Sequence, residues 1–251
     1  MLLAAQTAWA VDVTVTVDGE VLPGEPLVVD GRTYVPLAPL LEAIGGWETD
    51  WDPDSSTATS ETDLFHLTVP VWHSQVLADG FAFDVEGEAL LYAGRTYVPL
   101  RSVATLLGAE VVFSDWSVPV TVSTGRALDY TEEDLYWLSR IISAESRGEC
   151  LLGQLAVGCV VLNRVDSRQF PNTIRSVVFD TKDAIQFEPV ANGTVYWEPT
   201  DQSVLAARLV LNGARVVGDC LYFFAPALSQ GTWIRENCEY YTTIGCHQFY
   251  R

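Results

Sequence analysis

Glu145 is the residue whose type and position point most directly to chemistry. It falls seven positions after Leu138 and four after Ile141, within an apolar stripe (Leu135, Leu138, Ile141 or Ile142) that repeats at helical spacing. A carboxylate on a buried face is costly unless it has a partner or a task. It also sits near the end of its helix, where the negative pole of the dipole disfavours a second negative charge. Both effects raise its pKa. A carboxyl still protonated near neutral pH can serve as a general acid, the role such groups take in glycoside cleavage. Periodicity alone leaves the bland reading open: a half-exposed Glu on a fraying last turn. Arg147, two residues on, should point elsewhere.

The remaining reactive side chains offer less. His66, His73 and His247 are scattered and no C-x-x-C occurs, so no metal or cofactor is expected. The five cysteines (150, 159, 220, 238 and 246) are an odd number, which leaves one unpaired or paired between chains. On one helix, Cys150 and Cys159 would lie roughly 13 Å apart at about 1.5 Å per residue, beyond the reach of a disulfide. Cys238 and Cys246 enclose a short loop and could pair; the other reading is a set of small buried thiols.

The elements that must position these residues can be read along the second half. Thr131-Glu-Glu-Asp134 reads as a helix start with a capping box, and Gly148 as its C-terminal cap. Leu151 to Arg164 is apolar almost all round, which predicts a central buried helix. A short helix is expected over Ile174–Phe179. Ala184–Phe187 and Ala191–Gly193 read as loops. Thr200 caps a helix over Val204–Leu211 that stops at Asn212-Gly213, and Cys220–Pro226 reads as a strand.

The first half has a different character. Gly31-Arg-Thr-Tyr-Val-Pro-Leu37 recurs as Gly94–Leu100, 63 residues later. PLLEAIGG (39–46) then aligns with SVATLLGA (102–109), with Gly45 and Gly108 at the same offset. Each unit reads as strand, tight turn at Asp30-Gly31 or Ala93-Gly94, strand, short helix, strand. Pro36 and Pro99 end a strand and start a helix. Residues 1–126 hold 18 Asp/Glu and 4 Lys/Arg, whereas residues 127–251 hold 15 and 10. The two compositions predict two domains, 11–126 and 127–251, joined near Ser123–Asp129. Residues 1–10, MLLAAQTAWA, end in an A-x-A pattern and read as the tail of an export signal.

The net charge of −19 argues against nucleic-acid binding, which needs cations at phosphates, and against docking on an anionic membrane. No segment approaches the roughly 18 apolar residues of a membrane span.

Residues 12–124 resemble the copper amine oxidase N-terminal-like (stalk) domain, on the strength of the GRTYVPL segments. The second copy carries the family's following Arg as Arg101; the first has Ala38 there. The resemblance implies a spacer or surface module of secreted bacterial proteins and no copper ligand set. Association with wall glycan would fall to Trp47, Trp51, Trp72 or Trp116, although Trp in such a domain is more often core.

The second half resembles the SleB/CwlJ-type cell-wall hydrolases. The match rests on Ser143-Ala-Glu-Ser-Arg-Gly-Glu149, Gly153-Gln154, Val160–Arg164, Phe170–Ile174, Gln186-Phe187, Pro189–Ala191, Asn212-Gly213, Leu221–Phe224, Pro226 and Gly245–Tyr250. It implies an α+β fold with a lysozyme-like catalytic domain behind the small β-rich α+β stalk. It implies cleavage of peptidoglycan glycan strands, with Glu145 as catalytic acid and base and Glu149 as the competing carboxylate of the same motif. Gln186, Phe187, Tyr222, Phe224, Trp233, His247 and Tyr250 would shape the substrate cleft. Asp183 and Glu188 are the loop carboxylates available as a second acid, and nothing in the sequence promotes them. A Cys–His nucleophile would need Cys150 or Cys159 exposed beside His247. The implied location is extracellular or in the cell wall. The alternative is a non-catalytic wall-binding protein.

Overall fold

The computed structural model describes residues 13–115, 118–124, 130–182 and 186–251. The A-x-A segment, Trp116, Asp183 and most of the expected junction lie outside them. The chain divides into two compact units, Met1–Gly125 and Arg126–Arg251.

The first unit is β-rich. Its elements are β1 (Val15–Val17), β2 (Glu20–Val21), β3 (Leu27–Val29), β4 (Arg32–Pro36), α1 (Leu37–Gly45), β5 (Asp50–Asp52), β6 (Thr57–Glu61), β7 (His66–Pro70), β8 (Gln75–Ala78), β9 (Phe81–Asp84), β10 (Leu90–Tyr92), β11 (Arg95–Pro99), α2 (Leu100–Leu106), β12 (Glu110–Val112) and β13 (Val120–Ser123). They form three sheets, in the orders β12-β13-β1-β2, β10-β11-β4-β3 and β5-β6-β7-β8-β9. The two Thr-Tyr-Val-Pro segments pair antiparallel with each other, Val98 opposite Val35 and both fully buried. Each strand ends at its proline, which caps the following helix from an extended conformation. The hairpins before them turn at Asp30-Gly31 (φ 50° and 74°) and Ala93-Gly94 (φ 48° and 73°). Two consecutive left-handed residues are the two-residue turn that matches strand twist. Leu37, Leu40 and Leu41 of α1 and Leu100, Val103 and Leu106 of α2 are the buried helix faces. In the first copy the left-handed position after the helix is Gly46, one beyond the aligned glycine.

Trp51 and Trp72 are 41% and 52% exposed, and Trp47 is half-buried. The reading of tryptophans as core is therefore corrected for Trp51 and Trp72. Trp72 also takes φ 67° at the turn after β7, a conformation rare for a bulky side chain.

The second unit is helical with a small sheet: α3 (Glu132–Ser146), α4 (Leu151–Asp166), α5 (Ile174–Val178), α6 (Glu188–Asn192), a 3₁₀ turn (Thr194–Tyr196), α7 (Asp201–Leu211), β14 (Tyr222–Phe224), α8 (Thr232–Asn237), β15 (Tyr240–Ile244) and β16 (His247–Tyr250). Thr131 and Asp134 close the capping box of α3 from both sides. The core helix α4 packs against both α3 and α7, which also pack directly on each other. Gly158 makes this approach close: a Cβ there would lie 2.8 Å from Ile142 and 3.2 Å from Val210. The sheet order is β14-β16-β15, all antiparallel.

Three local expectations are corrected. Gly148 takes no left-handed conformation; α3 ends through Arg147, whose φ and ψ stay helical. Ala191 and Asn192 close α6 and are not loop, because Pro189 near its start and Gly193 at φ 81° complete a single turn. The expected strand over Cys220–Pro226 is trimmed to Tyr222–Phe224, the stretch that β16 pairs.

Candidate active site

Glu145 lies in the last turn of α3, half-buried, and opens on a cleft of about 310 Å³. Arg140, Ser143, Ala144 and Arg147 line the cleft from the same stretch of chain. Glu188, Pro189 and Asn192 line it from α6, with Thr194, Trp197 and Leu228 beyond. Burial pushes the Glu145 carboxyl up to about 7; Glu188 adds to the rise and Arg164 opposes it. Near neutral pH this carboxyl therefore holds its proton a substantial fraction of the time, as a general acid must. Arg140 is engaged elsewhere, bridging to Glu198 at 3.0 Å with its guanidinium 3.7 Å from the Tyr136 ring centroid.

Arg164 is the cation beneath the site. It is 4% exposed, and its Nε donates to the Leu221 carbonyl at 2.8 Å. Its guanidinium lies over the rings of Phe170, Phe187 and Tyr222, at 4.9, 5.0 and 5.8 Å. Its Nη1 is buried with no hydrogen-bond partner among the described residues, and burial pushes its pKa down to about 10. The available sequence signal was a lone Arg closing an otherwise apolar helix. Glu188 had no comparable signal.

The structure separates the other expected site residues into two groups. Tyr222, Trp233 and Gln186 retain exposure: Trp233 is 59% exposed and meets the Tyr222 ring edge-on at 5.6 Å, while Gln186 is half-buried. None of the three lines the Glu145 cleft. Phe187, Phe224, His247 and Tyr250 are 2, 8, 6 and 5% exposed. Phe187 anchors the start of α6 in the core; Phe224 and Tyr250 stack on one face of the β14-β16 ladder at 5.7 Å, and His247 lies on the other face against Phe223 and Phe249. All four are expected above to shape the cleft; in this structure they are buried and offer no open face.

Glu149 is engaged away from the cleft. Its Oε2 accepts from the Cys246 backbone N–H at 3.1 Å, and its backbone carbonyl accepts from Gln154 and Gln202. Its side chain lies against Gly153 and Gly245, where a Cβ at either position would collide with it. Glu149 thus ties the α3–α4 turn to the β15–β16 turn and is not among the cleft-lining residues. His247 Nδ1 is 4.0 Å from Glu149, too long for a hydrogen bond. Burial pushes its pKa down, against the opposing pull of Glu149, and so favours the neutral imidazole.

All five cysteines are free, so Cys238 and Cys246 are not joined; Cys159 and Cys220 are buried, whereas Cys150 and Cys246 are exposed. Burial raises the Cys159 thiol and drives Cys220 to about 11, and the Glu149 carboxylate raises Cys246. Those three are held as thiols and not as nucleophilic thiolates. Among the described residues no three His, Cys, Asp or Glu side chains cluster to hold a metal, and no helix is long and apolar enough to cross a membrane.

Comparison with known proteins matches residues 148–250 to the family described as Cell Wall Hydrolase, and residues 16–121 to the copper amine oxidase N-terminal domain. The first of these matches begins three residues after Glu145. A spore cortex-lytic enzyme of Bacillus cereus is 38% identical over 116 residues, covering 46% of this chain and 44% of that protein. The chain thus spans less than half of that relative's length. The cell wall hydrolase CwlJ of Oceanobacillus iheyensis is 32% identical over 103 residues, covering 39% of this chain and 72% of the relative. Among solved structures, the catalytic domain of the germination-specific lytic transglycosylase SleB from Bacillus anthracis is 36% identical. It aligns with a TM-score of 0.45, over 49% of this chain and 98% of that one.

Proposed function

The chain belongs to the cell wall hydrolase family, and on that premise we propose that it is an exported enzyme that cleaves peptidoglycan glycan strands between N-acetylmuramic acid and N-acetylglucosamine, as a lytic transglycosylase. The observation that carries the reading is Glu145: a half-buried carboxyl at the end of α3, raised to about 7, opening on a cleft. The names of the relatives, spore cortex-lytic enzyme and cell wall hydrolase, support a wall or spore-cortex substrate. The helical unit with its small antiparallel sheet supports a lysozyme-like α+β catalytic domain.

Glu145 donates its proton to the glycosidic oxygen as the C1–O bond breaks. The resulting carboxylate then takes the proton of the muramic C6 hydroxyl, which closes onto C1 and leaves a 1,6-anhydro end. The desolvated position favours both halves: it keeps the acid protonated before cleavage and makes the carboxylate a stronger base after it. Trp197, 60% exposed at the cleft, offers an open ring face for a sugar. The first unit would act as a stalk that holds the enzyme at the wall, with Trp51 and Trp72 as exposed contacts.

The test is digestion of purified peptidoglycan by the parent and by Glu145→Gln, read by mass spectrometry with and without borohydride. The parent should release non-reducible anhydro-muramic ends. Glu145→Gln should fold and lose about 10²–10⁴-fold in rate, the usual contribution of a general acid. Reducible ends would mean hydrolysis. Binding to the wall without any product would favour a wall-binding protein instead.

A further inference from the structure

We propose that Glu188 is a second catalytic carboxylate, which from the α6 wall of the cleft stabilises the positive charge developing at C1 of the muramic sugar while Glu145 on the α3 wall handles the proton. The proposal rests on the glycan-cleaving reading of Glu145 and extends it.

The argument begins with how Glu188 is held. It is the first residue of α6, flanked by Phe187, which is 2% exposed, and by the buried Pro189. Two core anchors on either side fix the backbone, and the side chain between them is exposed and lines the Glu145 cleft. It forms no ion pair and no side-chain hydrogen bond among the described residues. The nearby acid Glu198, by contrast, is spent on Arg140. Glu188 is therefore a carboxylate kept open toward the cleft.

The charged groups on the elements packed against α3 are Arg164 and Asp166 on α4, Arg175 on α5, Glu188 on α6, and Asp201 and Arg208 on α7. Glu198 follows the 3₁₀ turn, and Arg140 and Arg147 belong to the α3 stretch itself. Of these, Glu188 and Arg164 are the two whose fields act on the Glu145 carboxyl, in opposite directions. Arg175 is held by Glu133 at 3.6 Å. Two carboxyl groups in one cleft, one desolvated and one open, is the arrangement that divides acid work from charge stabilisation. The role that suits the open one is electrostatic, since an ionised group near C1 stabilises an oxocarbenium-like transition state.

The step balances without a further reactant. The Glu145 O–H proton passes to the leaving oxygen as the C1–O pair departs with it. The cation at C1 is stabilised by the Glu188 carboxylate without forming a bond to it. The C6 oxygen then supplies the new pair to C1, and its proton returns to Glu145. No water is consumed, and both carboxyls end as they began.

The experiment compares the full-length parent, Glu188→Gln, Glu188→Asp and Glu145→Gln on purified sacculi. It measures kcat and KM for anhydro-end release between about pH 5 and pH 9, together with the unfolding midpoint of each variant. Removing the negative charge lowers the Glu145 pKa. The alkaline limb of the profile, set by loss of the Glu145 proton, should therefore move to lower pH in Glu188→Gln. Its kcat should fall on the order of 10²-fold, the scale of losing one transition-state charge partner, with KM little changed. Glu188→Asp keeps the charge and should restore the limb position. A Glu145→Gln variant that is silent, beside a Glu188→Gln variant with parental kcat and limb, would overturn the role of Glu188 alone. A loss confined to KM would do the same and leave Glu188 a mere subsite residue. An active Glu145→Gln, or a parent that releases no anhydro ends, would bring down the underlying reading and this one with it. Should Glu188→Gln unfold, Glu188→Asp decides: a limb displaced from the parent's would overturn the proposal.

Discussion

Glu145 and Glu149 sit four residues apart on one segment and meet different surroundings. The Glu149 carboxylate accepts from the Cys246 backbone N–H and lies among glycines that make room for it. Glu145 is desolvated, and its strongest neighbouring charge of like sign is Glu188. A raised carboxyl pKa in the folded state has a sign that can be worked out. Between 4.5, the unperturbed value, and about 7, the native chain holds a proton that the unfolded chain has released. The unfolded state then binds fewer protons, so stability falls as pH rises through this window and levels off above it. The ceiling is about 3.5 kcal/mol, from about 1.4 kcal/mol per pH unit, and solvent screening of the half-buried carboxyl lowers it. Glu145→Gln should therefore be more stable than the parent above pH 7, with the gain vanishing near pH 4.5. Thermal unfolding across that range checks it, and an equal difference at both ends would show that Glu145 carries no buried-charge penalty. Glu149→Ala should do the reverse. It loses a charged acceptor tied to Cys246, worth about 1.5–3 kcal/mol, while turnover by the folded fraction stays near parental. A dead but fully folded Glu149→Ala would return Glu149 to the chemistry.

At the scale of elements, what could be read from sequence follows the range of the forces involved. The capping box of α3 is closed by Thr131 and Asp134, three residues apart, so local composition specifies it. The apolar period that carries Glu145 to the helix end spans three turns and is equally local. Glu188 could be named as a carboxylate but not placed at the cleft, because α6 is a single turn of five residues, too short for any period to register. The withdrawal of Glu149 from the cleft was invisible for another reason: it depends on Gly245 and Cys246, nearly a hundred positions away. The burial of Phe224 and Tyr250 was not legible either, because an aromatic's type is the same whichever side of a strand is covered; only the β14-β16 pairing and what packs on it decide. The hairpins of the first unit make one further point. Asp18-Gly19, Asp30-Gly31 and Asp79-Gly80 all place Asp at the first left-handed position, whereas the fourth places Ala93 there at φ 48°. Ala gains no local hydrogen bond in that conformation, and its Cβ is crowded by the backbone. Ala93→Asn should stabilise the first unit by about 0.5–1 kcal/mol, seen as a higher denaturant midpoint with an unchanged slope. A lower midpoint would mean that the turn is not held left-handed in solution.

Over the whole molecule the dominant quantity is charge, −19 in total with −14 of it in residues 1–126. A chain so acidic gains nothing from anionic wall polymers, which would repel it over a screening length of about 8–10 Å at physiological salt. On the proposed reading, attraction to the wall would come from contacts that do not depend on net charge. The exposed aromatics would supply them: Trp197 and Trp233 in the second unit, Trp51 and Trp72 in the first. Stacking of a ring on a sugar face is short-ranged and screened little by ions, whereas the repulsion it must overcome is screened strongly. Raising salt should therefore leave binding to purified sacculi unchanged or tighten it, and Trp51→Ala with Trp72→Ala should weaken it without altering the pH profile of cleavage. Co-sedimentation of the parent and the double variant over a salt series measures both effects. Binding that falls steeply with salt would instead place the attraction in the 14 basic side chains, and would shift the wall contact from the tryptophans to the arginine-richer second unit.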